Sequence, residues 1–293
     1  MRVRRLIKWL LMGIGGVVAV ALLGVAGIYV FIGIELDRTF EVSGTIIDVP
    51  DDSASIAEGE RLARLRGCNG GCHGDTVNGG VFFDLPDGTR VVVPDLGRTA
   101  QDFSVQELEQ AIRHGIRPDG TSVMFAMPSS MFYHLSDEDL GAIIAFLKSQ
   151  DAADVLLPAT TLAPLGRLMF FYYGQLIGSV LSAEVIDHSA PRIRPAKSDP
   201  VANGRYLAMT ICTECHGEDL RGGFDEFAPT LAIVAAYSIE DFRKLMRTGE
   251  PVGDRELDLM ASVAQSRFAH FTDSEINNLH AFLQTLALTA PEQ

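Results

Sequence analysis

Basic residues are in short supply in this chain of 293 residues, which has 24 lysines and arginines against 38 aspartates and glutamates. The formal net charge is −14, and the first 34 residues contribute +4 to it, so the rest of the chain carries −18. Such an excess of negative charge argues against nucleic acid as a partner. It fits a protein that is steered toward basic faces of partner proteins, although ordinary solubility would explain it equally well.

Cysteine is also scarce, and all four cysteines lie in two short motifs. The sequence Cys-Thr-Glu-Cys-His over residues 212–216 has the pattern C-x-x-C-H, at which a c-type haem is attached. The sequence Cys-Asn-Gly-Gly-Cys-His over residues 68–73 is a close copy with one additional residue between the cysteines. Together the two motifs predict two covalently bound haem c groups.

The residue types in these motifs suit haem attachment. Two cysteines on one turn can each form a thioether with a haem vinyl group, and the following histidine is then placed under the iron as its proximal ligand. A disulfide would not require the histidine, and zinc sites usually bring two cysteine pairs close together in the sequence. In the longer motif, Gly70 and Gly71 tolerate backbone angles that other residues avoid, so a widened loop can absorb the extra residue.

Charged residues are absent from residues 9–34. A helix of that length is about 39 Å long, which exceeds the ~30 Å hydrocarbon core of a bilayer and is too long for the apolar part of a signal peptide. We therefore expect an uncleaved signal-anchor in the bacterial inner membrane. The four basic residues before Trp9 would stay in the cytoplasm, which places both cysteine motifs in the periplasm, where c-type haems are attached.

The chain repeats itself around the two motifs. Gly59-Glu-Arg-Leu-Ala before the first motif matches Gly204-Arg-Tyr-Leu-Ala before the second. Residues 103–115 match residues 237–249 without a gap, and similar segments precede the last predicted helix of each copy. Agreement at matched spacing indicates that one unit has been duplicated.

Short helices are predicted within each unit. Ser136 and Thr272 begin capping boxes or close variants of them, and apolar residues at helical spacing follow, as in residues 140–147. Only the first unit holds an insertion, Phe82 to Val93, whose Pro-Asp-Gly turn predicts a small β-hairpin. The predicted fold is therefore mainly α-helical.

Both units resemble class I cytochrome c domains, and the whole chain resembles the membrane-anchored dihaem cytochromes c of bacterial respiratory chains. The resemblance covers residues 53–150 and 196–288. It implies a proline that packs near the proximal histidine, a position that Pro94 and Pro229 occupy. It also implies a methionine before the last helix as the sixth ligand of each iron, since a thioether sulfur raises the potential of a haem relative to bis-histidine ligation.

The methionines at the positions that the resemblance implies are Met127, in Ala-Met-Pro-Ser, and Met260, in Leu-Asp-Leu-Met-Ala. The expected haem-binding residues are Cys68, Cys72, His73, Met127, Cys212, Cys215, His216 and Met260. Of these, the expected iron ligands are His73, Met127, His216 and Met260.

Other methionines and histidines offer alternatives. Met124 and Met131 compete with Met127, and Met246 competes with Met260. A site with two histidine ligands would use His134 and His270, which lie at matched positions just before the last helix of each unit. Histidines at such positions are more often exposed or cap the helix, which is the interpretation we prefer. The histidines without a matched partner are expected to be structural, and they are His114, His188 and His280.

No constellation of catalytic residues stands out, so we expect an electron carrier and not an enzyme. A dihaem peroxidase would need an accessible iron and a path for electrons, for which a tryptophan often serves in that family, and the one tryptophan here is Trp9 in the anchor. We expect single electrons to pass from a quinol-oxidising complex to a haem–copper oxidase. The alternative is an electron-accepting cytochrome subunit of a periplasmic dehydrogenase, which has the same sites and a different partner.

The stretch Leu168 to Ala183 is apolar but short of a full span, and one crossing here would put the second motif in the cytoplasm. We expect it to lie against the protein's own core, with a partner or the membrane interface as alternatives. The expected segments are a signal-anchor helix over 1–35, a tether over 36–52, a first cytochrome c domain over 53–150, a linker over 151–195 and a second cytochrome c domain over 196–290.

Overall fold

The computed structural model describes residues 2–195, 198–223 and 228–288. As predicted, the chain is mainly α-helical, and these residues contain one two-stranded sheet. The helices are α1 (Arg2–Leu36), α2 (Ser53–Leu65), α3 (Leu96–Asp102), α4 (Val105–His114), α5 (Ser129–Phe132), α6 (Asp137–Lys148), α7 (Pro164–Ile177), α8 (Pro200–Ile211), α9 (Thr213–His216), α10 (Ile239–Thr248), α11 (Asp258–Ser266) and α12 (Asp273–Thr285). Short 3₁₀ segments lie at Ser182–Val185, Leu231–Ala236 and Phe268–His270, and a π turn lies at Cys68–Cys72.

The first and last helices of each unit cross at a glycine. In the first unit α2 packs on α6, and a Cβ atom at Gly59 would lie 1.9 Å from the carbonyl oxygen of Ala142. In the second unit α8 packs on α12, and a Cβ atom at Gly204 would lie 1.9 Å from the carbonyl oxygen of Asn278. The repeated sequence around these glycines therefore marks a helix crossing that no larger residue permits.

The middle helices of the two units, α4 and α10, each begin at a capping serine. The hydroxyl oxygen of Ser104 accepts a hydrogen bond from the amide of Glu107 at the start of α4, and the carboxylate of Glu107 accepts one from the Ser104 amide in return. Ser238 caps α10 in the same way by accepting from the Asp241 amide. Such caps satisfy amide groups that a helix leaves unpaired at its first turn.

The insertion of the first unit forms the predicted hairpin. Strands β1 (Gly80–Asp84) and β2 (Arg90–Val93) are antiparallel, with an irregularity between Val81 and Phe83. Two hydrogen bonds between Arg90 and Asp84, of 2.6 and 3.0 Å, link the strand ends next to the turn. The residues of β2 form part of the wall of the cavity described below.

The segment predicted as a tether, residues 36–52, lies along the first unit. The side-chain amides of Gln106 and Gln110 donate hydrogen bonds of 2.8 Å to carbonyl oxygens of this segment, and the Thr45 amide donates one to the buried carboxylate of Glu109. Ile47 is buried in the core of the unit. The segment is therefore packed on the first unit between α1 and α2.

Helix α1 has the length and apolar composition of a membrane span, a test that signal sequences also pass. Its last third packs against α7, the apolar part of the linker. Phe170 of α7 is buried in a small cluster with Ile32 of α1 and Leu181, as expected for an apolar linker that packs on its own core. The other face of α7 is exposed.

The two units pack directly against each other. Leu65, at the end of α2, is fully buried within the core of the second unit. The Tyr206 hydroxyl donates a hydrogen bond of 2.6 Å to the Asp139 carboxylate, and Arg61 of the first unit forms an ion pair of 2.9 Å with Glu275 of the second. These contacts join the units into one body around the ends of α2 and α8.

Candidate haem sites

The longer cysteine motif closes as a π turn. The amide of His73 donates to the carbonyl oxygen of Cys68, five residues earlier, over 3.3 Å. Gly70 has a φ angle of +68°, which is a left-handed conformation that glycine adopts without strain. The additional residue is therefore taken up by a wider turn at the glycines, as the sequence suggested.

The shorter motif closes with the same bond in an α turn. The amide of His216 donates to the carbonyl oxygen of Cys212, four residues earlier, over 3.0 Å. Both turns thus bring the histidine backbone back to the first cysteine of its motif. The extra residue alters the width of the turn and preserves this closure.

Each motif histidine makes the same side-chain hydrogen bond. The Nδ1 atom of His73 lies 2.9 Å from the Pro94 carbonyl oxygen, and the Nδ1 atom of His216 lies 2.8 Å from the Pro229 carbonyl oxygen. A carbonyl oxygen can only accept, so Nδ1 carries the proton and the lone pair of Nε2 is free to bind a metal. Burial lowers the pKa of both histidines, which keeps the imidazoles neutral, the form that ligates iron.

The loops after the motifs hold the two prolines in place. Val77 and Leu220 have φ angles of +53° and +59°, which are unusual for residues with side chains. Their carbonyl oxygens accept hydrogen bonds of 2.8 Å from Leu96 and Leu231, each two residues after its proline. Val77 and Leu220 therefore hold the chain that follows each proline, and with it the proline carbonyl group that accepts the hydrogen bond of the motif histidine.

The first site opens into a cavity of about 550 Å³, within the ~300–1,000 Å³ range typical of cofactor sites. Four of the predicted site residues line it, Cys68, Cys72, His73 and Met127. Most of the remaining wall is apolar and includes residues of β2, α4, α6 and the linker. Two thiols, a neutral imidazole and a thioether in an apolar cavity are the groups that a haem c requires, so the residues fit this cofactor.

In the second unit, Met260 lies in the first turn of α11 and is half-buried. Both Met260 and Cys212 border the core of this unit, as Met127 and Cys68 border the core of the first. His216 is buried at the base of its turn. Met260 and Cys212 therefore border one core, as their counterparts in the first unit do.

The competing methionines differ in position. Met131 is 3 % exposed and belongs to the core of the first unit, whereas Met124 also lines the cavity. Met246 is 4 % exposed and belongs to the core of the second unit.

The competing histidines have other contacts. The Nδ1 atom of His134 accepts a hydrogen bond from the Ile193 amide, and His270 is exposed at the surface. The remaining histidines have the contacts of structural residues: His114 and His188 lie 2.9 Å apart between their Nδ1 atoms, and His280 contacts the Tyr237 carbonyl oxygen.

The first cysteine of each motif has a thiol with a raised pKa. Burial raises the pKa of the Cys68 thiol to about 11 and that of the Cys212 thiol to about 12. The four cysteines form no disulfide with one another. Among the described residues, no group of three or more His, Cys, Asp or Glu side chains is placed to hold a metal ion.

The two attachment turns lie beside each other at the interface between the units. Glu214, between the cysteines of the second motif, also lines the cavity of the first site. Arg267 is 8 % exposed and donates hydrogen bonds to the Leu65 carbonyl oxygen and to Glu214, over 3.2 and 3.1 Å. A Cβ atom at Gly67 would lie 3.0 Å from the Arg267 guanidinium carbon.

Sequence reasoning did not identify Arg267 or Glu214 as parts of the sites. Arg267 follows α11, outside both motifs, and only the packing of the two units brings it next to Gly67 and Glu214. The position of Glu214 between the cysteines of the second motif is the one feature of the sequence that could have pointed to it. Its partner, Arg267, lies outside the repeated segments, so the repeat gives no sign of it.

A sequence model of the cytochrome c family matches this chain twice, over residues 56–151 and 201–287. The chain therefore belongs to the cytochrome c family, whose domains bind haem c covalently. The prediction of mainly helical cytochrome c units that follow an N-terminal apolar helix is confirmed.

Three relatives are named as cytochrome subunits of dehydrogenases. The cytochrome c subunit of alcohol dehydrogenase (quinone) from Gluconobacter oxydans (strain 621H) is 32% identical over an alignment of 184 residues that covers 56% of this chain and 35% of that protein. The fructose dehydrogenase cytochrome subunit of Gluconobacter japonicus is 24% identical, over 80% of this chain and 53% of that protein. The gluconate 2-dehydrogenase cytochrome c subunit of Pantoea cypripedii is 24% identical, over 82% of this chain and 62% of that protein.

This chain thus spans between about a third and three fifths of the length of these relatives. The names identify them as cytochrome subunits of dehydrogenases. They confirm the prediction that the chain is an electron-transfer protein and not an enzyme. On the partner, they favour the dehydrogenase alternative over the oxidase that we first expected, because each name pairs the cytochrome with a dehydrogenase.

Proposed function

We propose that this protein is the electron-transfer subunit of a membrane-bound dehydrogenase and that it carries two haem c groups. The observation that supports haem binding most strongly is the bond from each motif histidine to a proline carbonyl oxygen, repeated at 2.9 and 2.8 Å. A haem c supplies reversible transfer of one electron when it is bound. The names of the relatives support a dehydrogenase as the electron donor.

The residues have separate tasks in this proposal. Cys68, Cys72, Cys212 and Cys215 would form the thioethers, and the buried imidazoles of His73 and His216 would bind the irons through Nε2. Met127 and Met260 would supply the remaining protein ligands, which would leave no position on the irons for a substrate and favour electron transfer. The mainly apolar wall of the first cavity would surround a bound haem with a medium of low polarity, which raises the reduction potential.

The interface between the units provides the route from one site to the other. Glu214 of the second motif lines the cavity of the first, so two haem groups held by the motifs would lie on either side of one interface. Arg267 fixes the distance between the turns by binding the Leu65 carbonyl oxygen on one side and Glu214 on the other. The same guanidinium, which is itself buried, balances the negative charge of the partly exposed Glu214.

The N-terminal helix α1 serves as the membrane anchor in this proposal, with the haem units on the periplasmic side. Anchoring raises the local concentration of the electron carrier near membrane partners. The word quinone in the name of one relative indicates a lipid-soluble acceptor for that protein. For this chain we infer the same direction, from a periplasmic dehydrogenase toward an acceptor in the membrane.

The proposal is tested by purifying the full-length chain from its native membranes in mild detergent and identifying the proteins that accompany it. We expect a dehydrogenase, and addition of its substrate should reduce the haem absorbance of the complex within its turnover time. A chain with His216→Ala, purified in the same way, should retain the dehydrogenase but pass fewer electrons to an external acceptor. Isolation without any dehydrogenase, together with rapid oxidation by a purified haem–copper oxidase, would favour the shuttle between respiratory complexes instead.

A further inference from the structure

Helix α7 presents an apolar face to its surroundings. The side chains on this face follow helical spacing, with two adjacent tyrosines, and are between 39% and 58% exposed; they are Leu165, Leu168, Tyr172, Tyr173 and Leu176. Residues 168–183 contain no charged group. A surface of this kind, built from leucine and tyrosine, is costly to expose to water and marks a contact with an apolar partner or with lipid.

The one charge on α7 is turned toward α1. The Arg167 guanidinium donates a hydrogen bond of 2.6 Å to the Tyr29 carbonyl oxygen and lies 3.9 Å from the centre of the Tyr29 ring. A Cβ atom at Gly33 would lie 2.5 Å from Arg167, so a glycine at this position makes room for the guanidinium. The charge is thereby satisfied within the protein, and the outer face of α7 stays free of it.

The contact also fixes the level of α7 along the anchor. Trp9 and Tyr29 are twenty residues apart, which is about 30 Å along a helix and equals the hydrocarbon thickness of a bilayer. Tryptophan and tyrosine prefer the two membrane–water interfaces. Since α7 contacts Tyr29, Phe31 and Gly33, it lies at the interface on the haem side.

We propose that the exposed face of α7 lies in the lipid interface of the bilayer, beside α1. The proposal rests on the anchor role of α1 given above. Lipid is the occupant that the observations favour, because the exposed face of α7 continues onto the exposed side chains of α1: Phe171 packs edge-on against Phe31, 6.2 Å between ring centres, and Phe31 itself is 48% exposed. A protein partner that covered the face of α7 would also have to cover the neighbouring exposed side chains of α1, which lie in lipid.

This arrangement orients the first haem site relative to the membrane. The Phe125 ring packs against Phe170 and Tyr173 of α7, at 5.6 and 6.1 Å between ring centres. The Ser182 hydroxyl, just after α7, donates to the carbonyl oxygens of Met124 and Met127. The loop that carries Met127 is therefore attached to α7, and the first site lies next to the membrane surface.

The test uses the full-length haem-loaded protein in phosphatidylcholine–phosphatidylglycerol liposomes, with a benzophenone amino acid incorporated at one position at a time. The positions are Tyr172 on α7, Leu22 in the middle of α1 and Val252 in the second unit, all of which are exposed. After illumination, mass spectrometry of the protein detects covalent phospholipid adducts. We expect adducts at Tyr172 and Leu22 and none at Val252.

The outcomes separate this inference from the anchor on which it rests. Adducts at Leu22 without adducts at Tyr172 would overturn the placement of α7 and leave the anchor intact. Adducts at neither position would overturn both. If Tyr172 in native membranes yields adducts with another protein and none with lipid, α7 is a protein interface and the proposal is wrong.

Discussion

At the scale of residues, the chemistry of each site depends on the second nitrogen of its histidine. The Nδ1 atoms of His73 and His216 are bonded to proline carbonyl oxygens, which leaves Nε2 as the only ligand atom. The cysteine motifs and the prolines could be found from the sequence, because covalent attachment imposes a fixed order of residues. The charged residues around the motifs could not be found from the sequence, because tertiary packing alone brings Arg267 next to both turns.

Replacement of Met127 by alanine tests the sixth ligand of the first site. We expect the near-infrared sulfur-to-iron charge-transfer band of the oxidised protein to lose the contribution of one haem, and the potential of that haem to fall, because a thioether raises the potential. The control is Met131→Leu, which alters a buried core residue outside the cavity. If the band persists in the Met127 variant and disappears with Met124→Leu, Met124 is the ligand.

Replacement of Arg267 by glutamine tests the charge between the two sites. A buried positive charge disfavours the oxidised iron, so its loss should lower both haem potentials, on the order of tens of millivolts, and leave Glu214 uncompensated. Redox titration followed by visible absorbance measures both potentials. Arg243→Gln changes a surface arginine as the control. A shift confined to one haem, or no shift, would show that Arg267 does not act on both sites.

At the scale of elements, the repeated features of the sequence predicted the repeated features of the structure. The helix caps at Ser136 and Thr272 and the hairpin in the insertion are present, because each depends on residues close in the sequence. The contacts of residues 36–52 and of α7 depend on surfaces that are distant in the sequence. For that reason their composition alone did not distinguish a tether from a packed segment.

The crossing of α8 and α12 gives a prediction about stability. In Gly204→Ala the added methyl group would meet the Asn278 carbonyl oxygen, so the helices must move apart, at a cost of about 1–3 kcal/mol in the free energy of unfolding. Chemical denaturation of the haem-loaded protein measures this change. Asn203→Ala, one residue earlier on the same helix, serves as the control. Equal stability of the two variants would show that the crossing is not tightly packed.

At the scale of the whole molecule, the ion pair between Arg61 and Glu275 makes the union of the two units depend on pH. Burial raises the pKa of Glu275, but the hydrogen bonds and the positive charge of Arg61 outweigh this effect, so its pKa lies below the usual value. A lowered carboxyl pKa means that the stabilisation is present above the ordinary pKa of glutamate and is lost as the pH falls through the lowered value.

The variant Glu275→Gln tests this dependence. Glutamine keeps the capping box of α12 and removes the charge, so we expect the variant to be less stable at neutral pH by about 1 kcal/mol and to lose this deficit as the pH falls from neutral through the lowered pKa of Glu275. Unfolding curves of both proteins over this pH range supply the comparison. A difference in stability that is independent of pH would mean that the ion pair does not couple the units.

The central claim is that both turns, the π turn at Cys68–Cys72 and the α turn that begins at Cys212, hold a covalent haem. The intact mass of the full-length protein, measured after denaturation and removal of free haem, tests this most directly. We predict the mass of the chain plus two haem groups, and the chain plus one haem in Cys212→Ala/Cys215→Ala. A parent protein that carries a single haem would contradict the claim, since the first motif would then be an empty copy of the second.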